Sequence, residues 1–173
     1  MGRKVTLPGV ILAVSTYQFS VFLHITAVVV GLGATFAESI MFPVAIKLDK
    51  RHLPYVHRLQ LAINQWLATP ALVVILVTGM YQVSEHDFDF GDFWISGTFA
   101  IVIVLGGLLG AYFIPTDRRL GPMVAKELAD AGDRDVPLSQ EYQRASRAEG
   151  ILGAVAGLLV VVAVYLMVTK PGL

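Results

Sequence analysis

Cysteine is absent from this chain of 173 residues, and charged residues make up only 15% of it. The lack of cysteine excludes disulfide bonds, thiolate metal sites and a cysteine nucleophile. Hydrophobic residues make up 55% and the mean hydropathy is +0.68, which leaves too few polar groups to cover the surface of a soluble domain. The formal net charge is zero, so the composition does not predict binding to nucleic acid.

Catalytic and targeting signatures are also lacking. The sequence contains no Walker A, GxGxxG, HExxH or GxSxG pattern, so nucleotide, protease and hydrolase chemistry is not predicted. Arg3 and Lys4 precede a short apolar run in the manner of a signal peptide, but Pro8 and Gly9 interrupt that run. We therefore expect a short helix at the membrane interface instead of a cleaved leader.

Four apolar segments are each long enough to cross a bilayer, which takes roughly 20 helical residues for a hydrocarbon core about 30 Å thick. We predict spanning helices over residues 17–47, 55–83, 92–115 and 139–168, joined by a polar connection over 116–138. Helices are expected because lipid cannot satisfy exposed backbone groups. The predicted fold is an all-α, polytopic four-helix bundle that forms a single membrane domain, with Ser15 or Thr16 as its first N-cap.

Lysine and arginine are distributed unevenly between the two ends of this bundle. Ten of the 13 lie in or beside the first and third connections: Lys47, Lys50, Arg51, Arg58, Arg118, Arg119, Lys126, Arg134, Arg144 and Arg147. Arg3, Lys4 and Lys170 lie at the opposite end. Because cytoplasmic loops carry an excess of these residues, we predict both termini outside and both basic connections inside a bacterial inner membrane.

Two ionisable residues, His24 and Glu38, lie within the first apolar segment, with Gly31 midway between them. This spacing keeps all three within roughly 40° of one helical stripe and separates the two side chains by about 21 Å along the axis. Ionisable groups are costly in lipid, so we predict that the stripe faces the bundle interior. The distance rules out one catalytic pair.

His24 has two interpretations. It could ligate haem iron through an imidazole nitrogen, with Met80 as a conceivable second ligand. It could instead hydrogen-bond a neighbouring helix, where Thr78 of the second helix and Thr98 of the third are expected at the same depth. A single intramembrane histidine without an obvious second ligand favours the hydrogen-bonding interpretation.

Glu38 also has two interpretations. Its carboxyl group could carry protons across part of the membrane, on a pathway with Asn64, Gln65 and Arg58. It could equally form a structural ion pair with Arg58 or Arg147, which we favour. Asn64 and Gln65 are then expected to make ordinary hydrogen bonds between helices.

Glycine recurs with a spacing of four in the last two segments. Gly106 and Gly110 form one GxxxG motif, and Gly153 and Gly157 form another. Such motifs permit close approach of two backbones. We predict a tight pairing of the third and fourth helices, although either motif could serve a partner subunit.

The remaining histidines show no clear pattern. His52 and His57 are five residues apart, which is not the spacing of a metal-binding pair on a helix. His86 lies in an acidic loop. No metal site is predicted from these residues.

Several short motifs along most of the chain are similar to those of a family of small bacterial four-helix membrane proteins of unassigned function. They are Phe22-Leu23-His24, Gly31, Gly33, Pro43, Thr78-Gly79, Trp94, Pro115 with Arg118-Arg119, and Leu166 to Pro171. More distantly, the first and third helices resemble HemJ-type protoporphyrinogen oxidases and the membrane domain of CopD copper-resistance proteins. In the HemJ type, a first-helix histidine and a lysine shortly after a tryptophan are linked to haem binding. His24 and Trp94 match this pattern, and Thr98 stands where the lysine would fall.

Three classes of function follow. The chain could be an accessory or structural subunit of a membrane complex or homo-oligomer, a haem-binding redox protein using His24, or a small transporter or proton-coupled carrier using Glu38. We favour the accessory subunit because the chain is small and lacks a catalytic motif. Its expected surroundings are the lipid bilayer and other membrane subunits, and enzymatic activity is not expected.

Overall fold

The computed structural model describes residues 14–86, 88–132 and 138–172. Four of its helices are long and apolar enough to cross a membrane: α1 (Thr16–Leu48), α2 (Lys50–Glu85), α3 (Phe93–Ala131) and α4 (Gln140–Thr169). Within these described ranges no residue is in a strand. The predicted all-α architecture with four spanning helices is therefore confirmed.

Serine side chains cap the first and last helices, and the sequence predicted Ser15 or Thr16 as the first of these caps. The Ser15 side chain accepts a hydrogen bond from the Gln18 backbone N–H, and the Gln18 side chain accepts one from the Ser15 N–H, which completes a capping box. The Ser139 side chain accepts a hydrogen bond from the Tyr142 N–H at the start of α4. Both caps satisfy backbone donors that the first helical turn leaves without partners.

The third helix is longer than predicted. The sequence predicted its end at Pro115, but α3 continues to Ala131. Pro115 closely follows a π-helical turn, Leu109–Phe113, just as Pro70 in α2 follows the π-helical turn Asn64–Ala68. A proline ring crowds the preceding turn, and a π turn shifts the hydrogen-bond register by one residue. The wider π turn leaves space for the proline ring, so the helix continues beyond the proline.

Direct backbone contact joins α1 to α2 near the middle of the bundle. A Cβ atom placed on Gly31 would overlap the Cβ of Ala71, and it would lie 3.4 Å from the Leu67 carbonyl oxygen. Gly31 belongs to a third π-helical turn, Val28–Leu32. The two helices can approach this closely only because Gly31 lacks a side chain.

The apolar core is divided into three layers along the bundle axis. We call the end that holds the first and third connections the basic end, and the opposite end the terminal end. The middle layer contains Leu32, Ala68, Leu72, Ile75, Leu105, Leu109 and Val160. The basic-end layer contains Ala45, Leu53, Val56, Leu120, Val124 and Tyr142. The terminal-end layer contains Val83, Trp94, Ile95 and Leu166.

The glycine motifs do not bring α3 against α4. Gly106 and Gly110 are exposed, and a Cβ on either, or on Gly153, would meet no atom of the described residues within 4 Å. Gly157 instead faces Phe36 of α1, whose ring would lie 3.4 Å from an added Cβ. The two GxxxG motifs therefore lie outside the contact between α3 and α4, and the glycines of α3 form a surface of small residues that other helices could contact.

Candidate functional site

A buried group of polar residues lies beside the basic-end layer of the core. We call it the polar cluster, and its five members range from 0% to 8% exposed: His57, Asn64, Asp117, Tyr142 and Glu149. Polar side chains buried this deeply carry a large desolvation cost unless partners satisfy them. The cluster is therefore the first candidate for a functional site.

Helical periodicity assembles this cluster. His57 and Asn64 lie seven residues apart on α2, and Tyr142 and Glu149 lie seven residues apart on α4. Seven residues are about two turns, so each pair shares one face of its helix. Asp117 reaches the same place from α3 because that helix continues past its proline.

Hydrogen bonds connect the cluster across three helices. His57 Nδ1 lies 3.0 Å from Asp117 Oδ1, and His57 Nε2 lies 2.9 Å from the Tyr142 hydroxyl oxygen. The Asn64 amide donates to Asp117 Oδ2 at 3.4 Å. The imidazole is thus held on both sides, and both oxygens of the Asp117 carboxylate are engaged.

Carboxyl groups outnumber the cations in this region. Carboxylate oxygens of Asp117 and Glu149 lie within 4.8 Å of each other, and Glu38 of α1 is near enough to interact electrostatically with both residues. His57 Nδ1 contacts Asp117, and this contact is an ion pair only when the imidazole is protonated. Several like charges in a desolvated site repel strongly, so protons or a cation must balance them.

Glu38 does not form the ion pair that the sequence favoured. Its Oε1 atom is buried without a hydrogen-bond partner in the described chain, and the same holds for Oε1 of Gln60. Arg58 and Arg147 are both exposed, and among the described residues neither pairs with Glu38. Two buried acceptor oxygens, one from α1 and one from α2, are left for a donor.

Both orphaned oxygens belong to residues that line one cavity, which we call the carboxyl cavity. Its volume is about 610 Å³, and Asn64 and Glu149 of the polar cluster also line it. Most of the remaining wall is apolar, with Phe36 and Gly157 near the lipid-facing side. Gln65, which the sequence proposed beside Asn64, is not part of this lining.

A second cavity of about 380 Å³, which we call the histidine cavity, lies towards the terminal end. His24 and Thr98 provide its polar wall, and the rest is apolar. Three residues line both cavities and belong to the middle core layer: Leu32 of α1, Leu105 of α3 and Val160 of α4. We call these three the apolar partition, because they separate His24 on one side from Glu38 on the other.

His24 makes the interhelical hydrogen bond that one interpretation predicted. Its Nδ1 atom lies 2.9 Å from Thr78 Oγ1, whose own hydroxyl donates to the Val74 carbonyl at 2.6 Å. The hydroxyl proton is therefore used, so Nδ1–H donates to Thr78 and Nε2 keeps its lone pair. The imidazole is fixed in one tautomer by this contact.

A haem held between His24 and Met80 does not fit this geometry. Met80 is 43% exposed and is not part of the lining of the histidine cavity. Met167 of α4 lines that cavity instead. His24 thus lacks the second ligand that the sequence suggested.

Comparison with known proteins assigns the chain to a family. Residues 19–171 match a family described as "Predicted integral membrane protein (DUF2269)". The chain belongs to this family. It matches no curated protein and no solved structure. Membership agrees with the four spanning helices and embeds the protein in a lipid bilayer, and the family description names no activity.

In this DUF2269 chain, sequence reasoning missed three members of the polar cluster. His57 was set aside because its spacing from His52 does not suit a metal pair, and Asp117 was assigned to a connection. Tyr142 carried no signal by itself. The available signal was the matching spacing of seven in two helices, His57 to Asn64 and Tyr142 to Glu149.

Proposed function

We propose that this membrane protein is a small proton-coupled carrier, with Glu38 as its proton-binding group. The observation that carries the proposal is the pair of cavities on opposite sides of the apolar partition. A carrier needs a binding space that faces one side of the membrane at a time, with a barrier between the two sides. Leu32, Leu105 and Val160 are one layer of side chains, which is the thinnest barrier that packing can provide.

The chemistry of Glu38 suits proton coupling. Its carboxyl group lines the carboxyl cavity within the apolar part of α1, and its Oε1 atom has no partner in the described chain. An ionised carboxylate in such surroundings is costly, and binding a proton removes the charge. Proton binding therefore changes the energy of exposing Glu38 to either side, which is the basis of coupling.

The helix that carries Glu38 also contains a structural element able to transmit this change. Leu32 of the partition ends the π-helical turn Val28–Leu32, between His24 and Glu38. A π turn differs from a regular α-helix by one residue in its hydrogen-bond register, and such turns are frequent at functional sites. A shift of this turn would move Leu32 relative to Leu105 and Val160 and open the partition.

The proposed orientation follows the basic residues. With the basic end in the cytoplasm of a bacterial inner membrane, the carboxyl cavity faces inward and the histidine cavity faces outward. Protons would then enter from the outer side, past His24, and reach Glu38 when the partition opens.

Proton movement in liposomes tests this function. Purified protein is reconstituted with a trapped pH-sensitive dye, and a potassium diffusion potential drives protons inward. We expect faster acidification than in protein-free liposomes, and its loss in Glu38→Gln. Glu141→Gln is the matched control, because Glu141 is 66% exposed at the basic end. Flux equal to that of empty liposomes, or unchanged by Glu38→Gln, would exclude the proton role.

A second candidate is the subunit of a larger membrane complex. It is favoured by the glycine surface of α3, where Gly106, Gly107 and Gly110 are all exposed and an added Cβ would meet nothing within 4 Å. Small residues on a lipid-facing surface suit close packing of a helix from another chain.

A further inference from the structure

We propose that His57, Asp117 and Glu149 bind one divalent ion of a first-row transition metal. The site lies in the polar cluster and ties α2, α3 and α4 together. It is separate from the proton role of Glu38 and stands whether or not the protein is a carrier.

The three side chains already converge. One nitrogen of His57 and one carboxylate oxygen from each of Asp117 and Glu149 lie within 4.8 Å of one another. Donor atoms about 2.1 Å from a shared ion lie up to about 4.2 Å apart. A small rotation of a side chain closes the difference, and all three residues are at most 8% exposed.

The surrounding hydrogen bonds match those that support metal ligands. A histidine ligand usually donates its second ring N–H to a fixed acceptor, which sets the tautomer and the ring orientation. The Tyr142 hydroxyl oxygen, 2.9 Å from His57 Nε2, is in place to accept that hydrogen bond. A hydrogen bond joins Nδ1 to Asp117 Oδ1, 3.0 Å away. A metal ion would replace the proton of that hydrogen bond, because ligands give up their protons when a metal binds.

The second ligand has its own support. Asn64 donates to Asp117 Oδ2 at 3.4 Å, so Oδ1, the oxygen beside His57 Nδ1, is the one that would bind the ion. Outer partners of this kind orient ligating carboxylates. Two of the three proposed ligands are thus positioned by side chains that do not ligate.

Charge favours an ion at this position. Carboxylate oxygens of Asp117 and Glu149 lie within 4.8 Å of each other, so ionising both would place two negative charges together in the core. Arg147, two residues before Glu149 in the sequence, is exposed. A divalent cation would neutralise both carboxylates.

The donor set selects the class of metal. Magnesium and calcium prefer oxygen ligands alone, whereas one imidazole with two carboxylates suits manganese, iron, cobalt, nickel or zinc. The chain has no cysteine, so the thiolate ligands that favour copper(I) are not available.

Metal analysis of the intact protein in mild detergent tests the proposal. The metal content of protein from metal-supplemented cells is measured by elemental mass spectrometry. The protein is then stripped of metal with a chelator and titrated with Co²⁺, whose visible absorption spectrum reports which protein groups bind the ion. We expect about one metal per chain, consistent with the closed geometry of such sites. Glu149→Gln, which keeps its shape and can still hydrogen-bond Asp117, should weaken Co²⁺ binding at least about tenfold.

Control variants make the outcome decisive. His52→Ala removes an exposed histidine from the start of α2 and should bind Co²⁺ like the unmodified chain. Chelator should lower the unfolding temperature of the unmodified protein, and added metal should restore it. The unfolding temperature of Glu149→Gln should change with neither chelator nor metal. A folded, stripped protein that gives no Co²⁺ spectrum overturns the proposal. The proposal is also overturned if the Co²⁺ spectra of His57→Gln and of Glu149→Gln are both the same as that of the unmodified protein.

Discussion

His57 Nδ1 lies 3.0 Å from Asp117 Oδ1, although the two residues are 60 positions apart in the sequence. This contact joins α2 to α3 inside the polar cluster, where His57 is 0% and Asp117 2% exposed. A buried pair of this kind does not necessarily make a fold more stable than an apolar pair would. Removing one partner, however, leaves the other buried without its hydrogen-bond partner.

Replacing His57 alone should therefore destabilise the protein strongly. We expect His57→Leu to lower the free energy of unfolding by about 3–5 kcal/mol, because the Asp117 carboxylate stays buried without its partner. Unfolding by denaturing detergent, followed by circular dichroism in the presence of chelator, measures the loss. His52→Leu is the control, since His52 is exposed.

The paired substitution separates charge from packing. His57→Leu combined with Asp117→Leu should recover part of the lost stability, because the Asp117 carboxylate no longer lies buried without its histidine partner. A double variant that loses the full sum of both single losses would contradict this account.

Much of the fold was accessible from the sequence because lipid imposes strong constraints. Long apolar segments had to be spanning helices, and the serines before the first and last helices had the chemistry of N-caps. Ser15 and Ser139 accordingly start α1 and α4. These features depend on local sequence, and so the pattern was sufficient to predict them.

The candidate site was less accessible because it depends on contacts between distant segments. Asp117 enters the core because α3 continues past Pro115, which follows a π turn. The sequence pattern does not indicate whether a proline will end a helix or be accommodated within it. His24 and Glu38, by contrast, were identified correctly as lining the bundle interior, since their spacing follows simple helical geometry.

The contact between α1 and α2 gives a second stability prediction. Gly31→Ala should lower the free energy of unfolding by about 1–3 kcal/mol, because its Cβ would overlap Ala71 and force the helices apart. Gly33→Ala is the matched control two residues away, where an added Cβ meets no atom within 4 Å. That variant should be neutral or slightly stabilising, since alanine is the better helix former.

A compensating change tests the same contact directly. Ala71→Gly introduced together with Gly31→Ala removes the overlapping atom and should restore part of the stability. Equal unfolding of Gly31→Ala and Gly33→Ala would show that the two helices do not meet at Gly31.

The glycine surface of α3 leads to a prediction about assembly. Gly106→Leu and Gly110→Leu should leave the fold of a single chain intact, because both positions are exposed and an added Cβ would meet no atom of the described residues within 4 Å. If a partner helix packs there, both changes should abolish chemical cross-linking between chains in native membranes while unfolding remains unaltered. Cross-linking that survives both substitutions would exclude this surface as the interface.

The apolar partition yields the last prediction, which concerns transport. Leu105→Ala removes three carbon atoms from a side chain that is 7% exposed and lines both cavities. The space it leaves should connect the cavities and admit water, so proton entry into liposomes should rise above that of the unmodified protein. Ile103→Ala, at a position 67% exposed on the same helix, controls for general weakening of α3 and should leave proton entry unchanged.

Adding Glu38→Gln to Leu105→Ala distinguishes two routes by which protons could cross the opened partition. Flux that falls again passes through the carboxyl group, whereas flux that persists passes through water alone and would contradict a proton pathway through Glu38.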